Sequence, residues 1–179
     1  MAQTAGRQEA SLLASAVAGD EIAFRRIIAA HHDDMRKVCM AIADDRAIAE
    51  EATQSAWVIA WKRLGDVREP SHLRPWLVTV AANEAKQLLR KRKRRAEVEV
   101  TADAARVPGG VDPATDVADI DVRDAMARLD PDDRALLALR YVAGFDSNEL
   151  AKASGISASG MRNRLERLLK RLREELDHG

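Results

Sequence analysis

Apolar residues recur at three- and four-residue spacing through most of the chain, β-branched and aromatic clusters are few, and Ala, Leu, Arg, Glu and Asp dominate. That is the period and composition of helices, so the pattern predicts an all-α fold. A first helix is expected over Gln8 to Val17, stopping at Gly19. Asp20 then caps a longer one that carries Ile22, Phe24, Ile27, Ile28, Met35, Val38 and Ile42. A third spans about Asp45 to Leu64 and ends at Gly65. A fourth follows Pro70, from Ser71 to Arg95, with Pro75 tolerated because it falls in the first turn. On that helix Leu73, Leu77, Val80 and Leu88 fall on one side, and Thr79, Asn83, Lys86 and Arg90 form a polar stripe on another. It therefore has a core face and a reading face.

Periodicity is lost over 96–118, where Pro108, Gly109, Gly110 and Pro113 sit among acidic residues. Such a segment buries too little apolar surface to order itself. Helical spacing resumes near Asp119 and gives four short helices: one to Leu129, then Pro131 to Val142, Ser147 to Ala153, and Ser157 to about Leu176. The expected organisation is two small helical domains, 1–95 and 119–179, joined by a flexible acidic linker at 96–118. No internal repeat relates the halves.

Charge sharpens this division. The 29 basic and 29 acidic residues cancel, which by itself disfavours a nucleic-acid ligand, but they are segregated. Every charged residue from Lys86 to Arg95 is basic, and from Glu97 to Asp121 all but Arg106 are acidic. A single cysteine, Cys39, excludes an internal disulfide, and with four scattered histidines it offers no zinc-ligand spacing. No metal or cofactor is expected. No apolar run approaches the ~18 residues of a membrane span, and no signal-peptide segment is seen. A reduced, cytoplasmic setting without membrane insertion is the expectation.

From Ser147 to Arg173 the chain runs as a short helix, a break at Ser154 and Gly155, an apolar Ile156, and a long basic helix. This is the layout of a DNA-reading helix-turn-helix, in which Gly permits the tight turn and the second helix enters the major groove. Met161, Leu165, Leu168, Leu169, Leu172 and Leu176 line one side of that helix. Ser159, Asn163, Glu166, Arg167 and Lys170 face away, with Arg162, Arg164 and Arg171 on the flanks. Arginine pairs with guanine edges, Asn with adenine, and Glu accepts from cytosine, so Arg162, Asn163, Glu166 and Arg167 suit base reading. A merely solvated basic helix is the alternative, and the Gly turn with its short preceding helix argues against it. The run Arg90, Lys91, Arg92, Lys93, Arg94, Arg95 has the same two readings, phosphate contact or a solvated helix end.

In combination these segments resemble extracytoplasmic-function sigma factors of the sigma-70 family. Gly19-Asp20-Glu21-Ile22-Ala23-Phe24 is similar to the opening of their first conserved region. Ala49-Glu50-Glu51-Ala52-Thr53-Gln54-Ser55-Ala56-Trp57, continuing to Trp61, is similar to their polymerase-binding helix. Trp76-Leu77-Val78-Thr79-Val80-Ala81-Ala82-Asn83 with the basic run resembles the region that melts and reads the minus-ten element. Leu129-Asp130-Pro131 through Leu139-Arg140-Tyr141 and Glu149-Leu150-Ala151 to the last helix resembles the domain that reads the minus-thirty-five element. The matches cover most of the chain outside the N-terminal tail and the linker, in the family's order.

The resemblance implies an alternative sigma factor, not an enzyme, that directs core RNA polymerase to particular promoters. It implies that Glu50, Glu51 and Gln54 meet the polymerase large-subunit clamp, that the second domain meets its flap, and that an anti-sigma protein holds the chain silent. Thr79, Asn83, Lys86, Arg90, Lys91 and Arg94 are then the minus-ten set, with Asn83 and the Gly65 to Ser71 loop near a pocket for a flipped base. Ser159, Arg162, Asn163, Glu166 and Arg167 are the minus-thirty-five set. Gly160 and Ser159 depart from the family's usual Thr and Gly near the start of that helix. The acidic linker either mimics nucleic acid near the polymerase cleft or is a solvated tether.

Read without the family, Trp57 and Trp61 are core residues four apart on a helix, Cys39 is a small core residue, and His31 and His32 are surface or boundary residues. The rival functions are a stand-alone helix-turn-helix regulator and a helical enzyme or metal protein. The second has no phosphate-binding Gly loop, no His-Glu-x-x-His and no nucleophile with its base to support it.

Overall fold

The computed structural model describes residues 2–99 and 117–177, with side chains over 8–96 and 122–177. Among the described residues there are eight α-helices and no strand: α1 Ala2–Val17, α2 Glu21–Ala43, α3 Arg46–Arg63, α4 Leu73–Glu99, α5 Val117–Arg128, α6 Pro131–Tyr141, α7 Ser147–Ser154 and α8 Ala158–Asp177. Two 3-10 turns, Leu64–Asp66 and Pro70–His72, carry the chain from α3 into α4.

The helix starts follow local chemistry. The Asp20 side chain accepts from the amides of Ile22 and Ala23, the Asp45 side chain from Ile48, and the Asp130 side chain from Asp132, with Pro131 in the first turn of α6. Asp146 and Glu149 form a reciprocal capping box on α7. The residues expected as the first part of the linker, 96–99, continue α4 instead, and α5 begins at Val117. Ala96, Glu97 and Glu99 are good helix formers, so they extend the helix past the basic run. The remainder of the expected linker, 100–116, lies outside the described residues.

Helices α2, α3 and α4 pack on one another as the first domain, with α1 laid against α2. Ile27, Met35, Val38, Cys39 and Ile42 of α2 meet Ala49, Ala52 and Ala56 of α3 and Leu77, Val78, Ala81 and Ala85 of α4 in one core. The small residues on α3 and α4 let the helices approach closely. The buried face of α4 is rotated from the expected one: Val78 is fully buried, whereas Val80 and Leu88 sit at its edge. In the second domain Leu150, Met161, Leu165 and Leu168 close α7 and α8 over α6. Helix α6 also packs against α2 and α4, so the two domains meet.

Candidate polymerase and nucleic-acid interfaces

Buried alanines on one side of α3 leave a continuous outer stripe. Glu50, Glu51 and Gln54 are all exposed, and Val58 and Trp61 continue the line toward the helix end. Glu50 accepts from Arg46 at 2.8 Å one turn earlier, so its charge is partly matched, while Glu51 and Gln54 stand clear. The two tryptophans divide. Trp57 is buried, edge-on to Phe24 at 5.8 Å, and its indole N–H donates to His32 Nδ1 at 3.2 Å. Trp61 also packs on Phe24, at 4.8 Å, yet 42% of it is exposed. The expectation of core packing holds for Trp57 and only half describes Trp61. The spacing of Glu51, Gln54, Val58 and Trp61 at three and four residues was the signal for this mixed face.

On α4 the six expected minus-ten residues take three kinds of position. Thr79 spends its hydroxyl on its own helix, donating to the Pro75 carbonyl at 2.8 Å. Asn83, Lys91 and Arg94 are exposed. Lys86 and Arg90 both reach Asp132 at the start of α6, Lys86 at 3.2 Å. Burial alone would raise the Asp132 carboxyl, but the two cations outweigh it and hold it below the usual range. Arg92 of the same run turns to Asp45, the α3 cap, at 2.5 Å. The Arg92 hydrogen bond, helped by the Ile48 amide, lowers the Asp45 pKa. Two of these three acidic partnerships, on Lys86 and Arg90, were invisible in the sequence because they cross from one domain to the other.

The α7–turn–α8 unit has the geometry its sequence predicts. Gly155 ends α7 in the left-handed region at φ 69°, and the Ile156 amide bonds back to Ala151 at 3.1 Å. Ser157 caps α8 by accepting from Gly160 at 3.1 Å, with the Ser159 hydroxyl 3.2 Å away. A side chain at Gly160 would bring its Cβ to 3.1 Å from the Ser157 hydroxyl oxygen, so glycine there leaves the cap undisturbed. Met161, Leu165 and Leu168 are buried, and Ser159, Arg162, Asn163, Glu166 and Arg167 are all exposed along the opposite face. Arg164, on the flank, donates to Asp133 at 2.7 Å and ties α8 to α6.

Cys39 is buried, its thiol pointing at the Ala81 carbonyl at 3.5 Å, and burial pushes its pKa up to about 11. That is a packing residue without nucleophilic character. Among the described residues no cluster of His, Cys, Asp or Glu is arranged to hold a metal, and no helix is long and apolar enough to cross a membrane.

A helical domain with an exposed acidic-apolar stripe and a cationic helix, followed by a helical domain ending in a helix-turn-helix, is the construction of the sigma-70 class. Sigma-70 region 2 matches residues 27–95 and sigma-70 region 4 matches residues 119–172. The chain belongs to the sigma-70 family. It is 31% identical over 172 residues to the probable RNA polymerase sigma factor RfaY of Xanthomonas campestris pv. campestris, covering 92% of this chain and 43% of that protein. It is 28% identical over 162 residues to the RNA polymerase sigma factor CarQ of Myxococcus xanthus, covering 88% of this chain and 91% of CarQ. The ECF RNA polymerase sigma factor SigM of Mycobacterium tuberculosis is 28% identical over 167 residues, 93% of this chain and 83% of SigM. The chain thus spans less than half of RfaY but most of CarQ and SigM. The fold is shared with the sigma factor RpoE solved with the anti-sigma factor NepR from Bartonella quintana, at a TM-score of 0.69 and 23% identity over 86% of this chain and 96% of that one. It is also shared with CnrH solved with the cytosolic domain of CnrY, at 0.67 and 24% over 93% and 96%.

Proposed function

We propose that this chain is an alternative sigma factor of the extracytoplasmic-function type, a non-catalytic subunit that binds core RNA polymerase and directs initiation at a particular set of promoters. The observation that carries the reading is the presence, in one chain and in the family's order, of both family regions with their outward faces free of core packing. On α3 the Glu50, Glu51 and Gln54 face meets the large-subunit clamp, with Val58 and Trp61 adding apolar area at its end. On α4, Asn83 and the Gly65 to Ser71 loop serve the flipped-base pocket, Thr79 supports it, and Lys86, Arg90, Lys91 and Arg94 engage phosphates. On α8, Ser159, Arg162, Asn163, Glu166 and Arg167 read the minus-thirty-five element in the major groove, while the second domain rests on the polymerase flap.

One protein of the same fold, RpoE, was solved with the anti-sigma factor NepR, and an anti-sigma partner is part of the proposal for this chain. The division into 1–95, 96–118 and 119–179 and a cytoplasmic location belong to the same proposal.

The test is gel filtration of the purified protein with sigma-free bacterial core polymerase. Stoichiometric co-elution, lost in Glu51→Arg, supports the reading. Tight binding to a palindromic duplex without polymerase, together with no co-elution, would overturn it in favour of a stand-alone regulator.

A further inference from the structure

Where the end of α2 meets α5, α6 and α8, the surface opens into a groove of about 450 Å³. Met40 of α2, Met126 of α5, Leu137 and Tyr141 of α6, and Leu169 and Leu172 of α8 line it, so most of its wall is apolar. Packed interiors leave few voids larger than a water molecule, and this space exceeds that many times over. Clefts of about 300–1,000 Å³ with apolar walls and a few convergent polar groups are the ordinary form of a small-molecule site.

The charges on the wall do not balance. Asp44, Arg123 and Arg134 are its charged residues, two guanidinium groups to one carboxylate. Arg123 is matched, because it pairs with Asp44 at 3.2 Å. Arg134 is partly buried, and its nitrogens donate only to the carbonyls of Leu129 at 3.2 Å, Ile42 at 3.2 Å and Ala127 at 3.1 Å. Among the described residues no carboxylate stands within ion-pair distance of it. A guanidinium carries five N–H donors, and three bonds leave two of them unused. Burial lowers the pKa of this group, with Asp44 and Asp130 pulling the other way from beyond contact, which is the mark of a cation drawn out of water onto neutral acceptors. An anion brought to such a cation gains more than it would in water, because the surrounding wall is apolar.

We propose that the groove is a binding site for an amphiphilic organic anion, in its simplest form a medium-chain carboxylate, whose head group pairs with Arg134 and whose chain lies along Met40, Met126, Leu137 and Leu169. The unused N–H groups of Arg134 donate to the carboxylate oxygens, and the chain displaces water from the apolar wall. Unbranched thioethers adjust to the shape of a flexible chain, so the two methionines suit this ligand. A neutral amphiphile would leave the guanidinium unpaired, and a cationic one would be repelled by it. The site stands apart from the sigma-factor reading, since it uses neither the outer stripe of α3, nor the cations of α4, nor the exposed face of α8.

The experiment uses the full chain labelled at its methionine methyl groups, with decanoate below its micelle concentration as the probe. Of the five methionines, Met40 and Met126 line the groove, whereas Met35 and Met161 are fully buried in the two cores and form no part of its wall. Decanoate shifts the Met40 and Met126 methyl signals saturably in carbon-proton NMR and leaves those of Met35 and Met161 in place. By calorimetry one decanoate binds per chain, about tenfold more tightly than decanol, which lacks the charge. Octanoate, two methylenes shorter, binds about tenfold more weakly than decanoate. Decyltrimethylammonium at the same concentration leaves the spectrum unchanged. In Arg134→Gln the acid and the alcohol bind alike, a ratio that a general loss of stability would not imitate. Ala41→Trp, which fills the groove from its α2 wall, abolishes the methyl shifts. No saturable binding, shifts at Met35 and Met161 as large as those at Met40 and Met126, equal affinity of the native chain for acid and alcohol, or an acid preference that survives Arg134→Gln would each overturn the proposal. None of these measurements involves polymerase or DNA, so failure to support transcription would bear on the functional reading alone.

Discussion

Arg134, in α6, donates to the carbonyl of Ile42 near the end of α2 at 3.2 Å, and its other nitrogens reach the carbonyls of Leu129 at 3.2 Å and Ala127 at 3.1 Å. The last carbonyls of a helix have no partner within it, and one guanidinium here serves the ends of both α2 and α5. Its planar fork is what lets a single side chain reach three acceptors. Arg134→Met should lower unfolding free energy by about 1–3 kcal/mol in urea titration, because partly buried carbonyls lose their donors. Arg134→Lys should recover less than half of that.

The tryptophans on α3 should separate stability from binding. Trp57→Ala removes a buried ring and should cost about 3–5 kcal/mol. Trp61→Ala should cost much less in thermal unfolding, while weakening co-elution with core polymerase. Equal destabilisation by the two would contradict the division of α3 into an inner and an outer tryptophan.

Gly155 holds the turn of the helix-turn-helix at φ 69° with open space around it, so the backbone and not crowding demands glycine. Gly155→Ala should destabilise the chain by about 1 kcal/mol, and Gly155→Asn by less, since Asn tolerates the left-handed region. Both substitutions are read by thermal unfolding monitored at 222 nm. Val substituted there should be worse than Ala.

His31 lies between α1, its own α2 and α4. Burial lowers its pKa, and Arg74 lowers it further, against the opposing pull of Glu9 and Asp34. The unfolded chain therefore binds this proton more readily than the folded one, so its contribution to stability is present above about pH 6.5 and lost as pH falls toward the lowered folded value. Urea titrations between pH 7.5 and 5 should show stability falling, with a shallower fall in His31→Gln. An unchanged slope in that variant would remove His31 as the cause.

Much of this molecule can be read directly from residues whose effects are local. Asp20, Asp45, Asp146 and Gly155 start and stop helices by bonds to backbone two to four residues away, and the sequence places those boundaries within a few residues. The face of α8 is equally legible, because Met161, Leu165 and Leu168 repeat at three and four residues with only polar side chains opposite. Where partners are distant, sequence reasoning stops. Val78 and Val80 are chemically alike, and only the positions of α2 and α3 decide that Val78 is buried. The run from Ala135 to Leu139 signals a helix covered on every side without saying by what. Lys86 and Arg90 read as free cations until the fold brings Asp132, more than forty residues later, against them.

The most direct test of the central claim is run-off transcription from a library of genomic promoters, with core polymerase and the native protein, Asn83→Ala or Arg162→Ala. The account predicts initiation that depends on the added protein, from promoters sharing two spaced elements. Asn83→Ala should reduce output at all of them, and Arg162→Ala should shift preference at the upstream element. No initiation above core polymerase alone, or output indifferent to both substitutions, would contradict it.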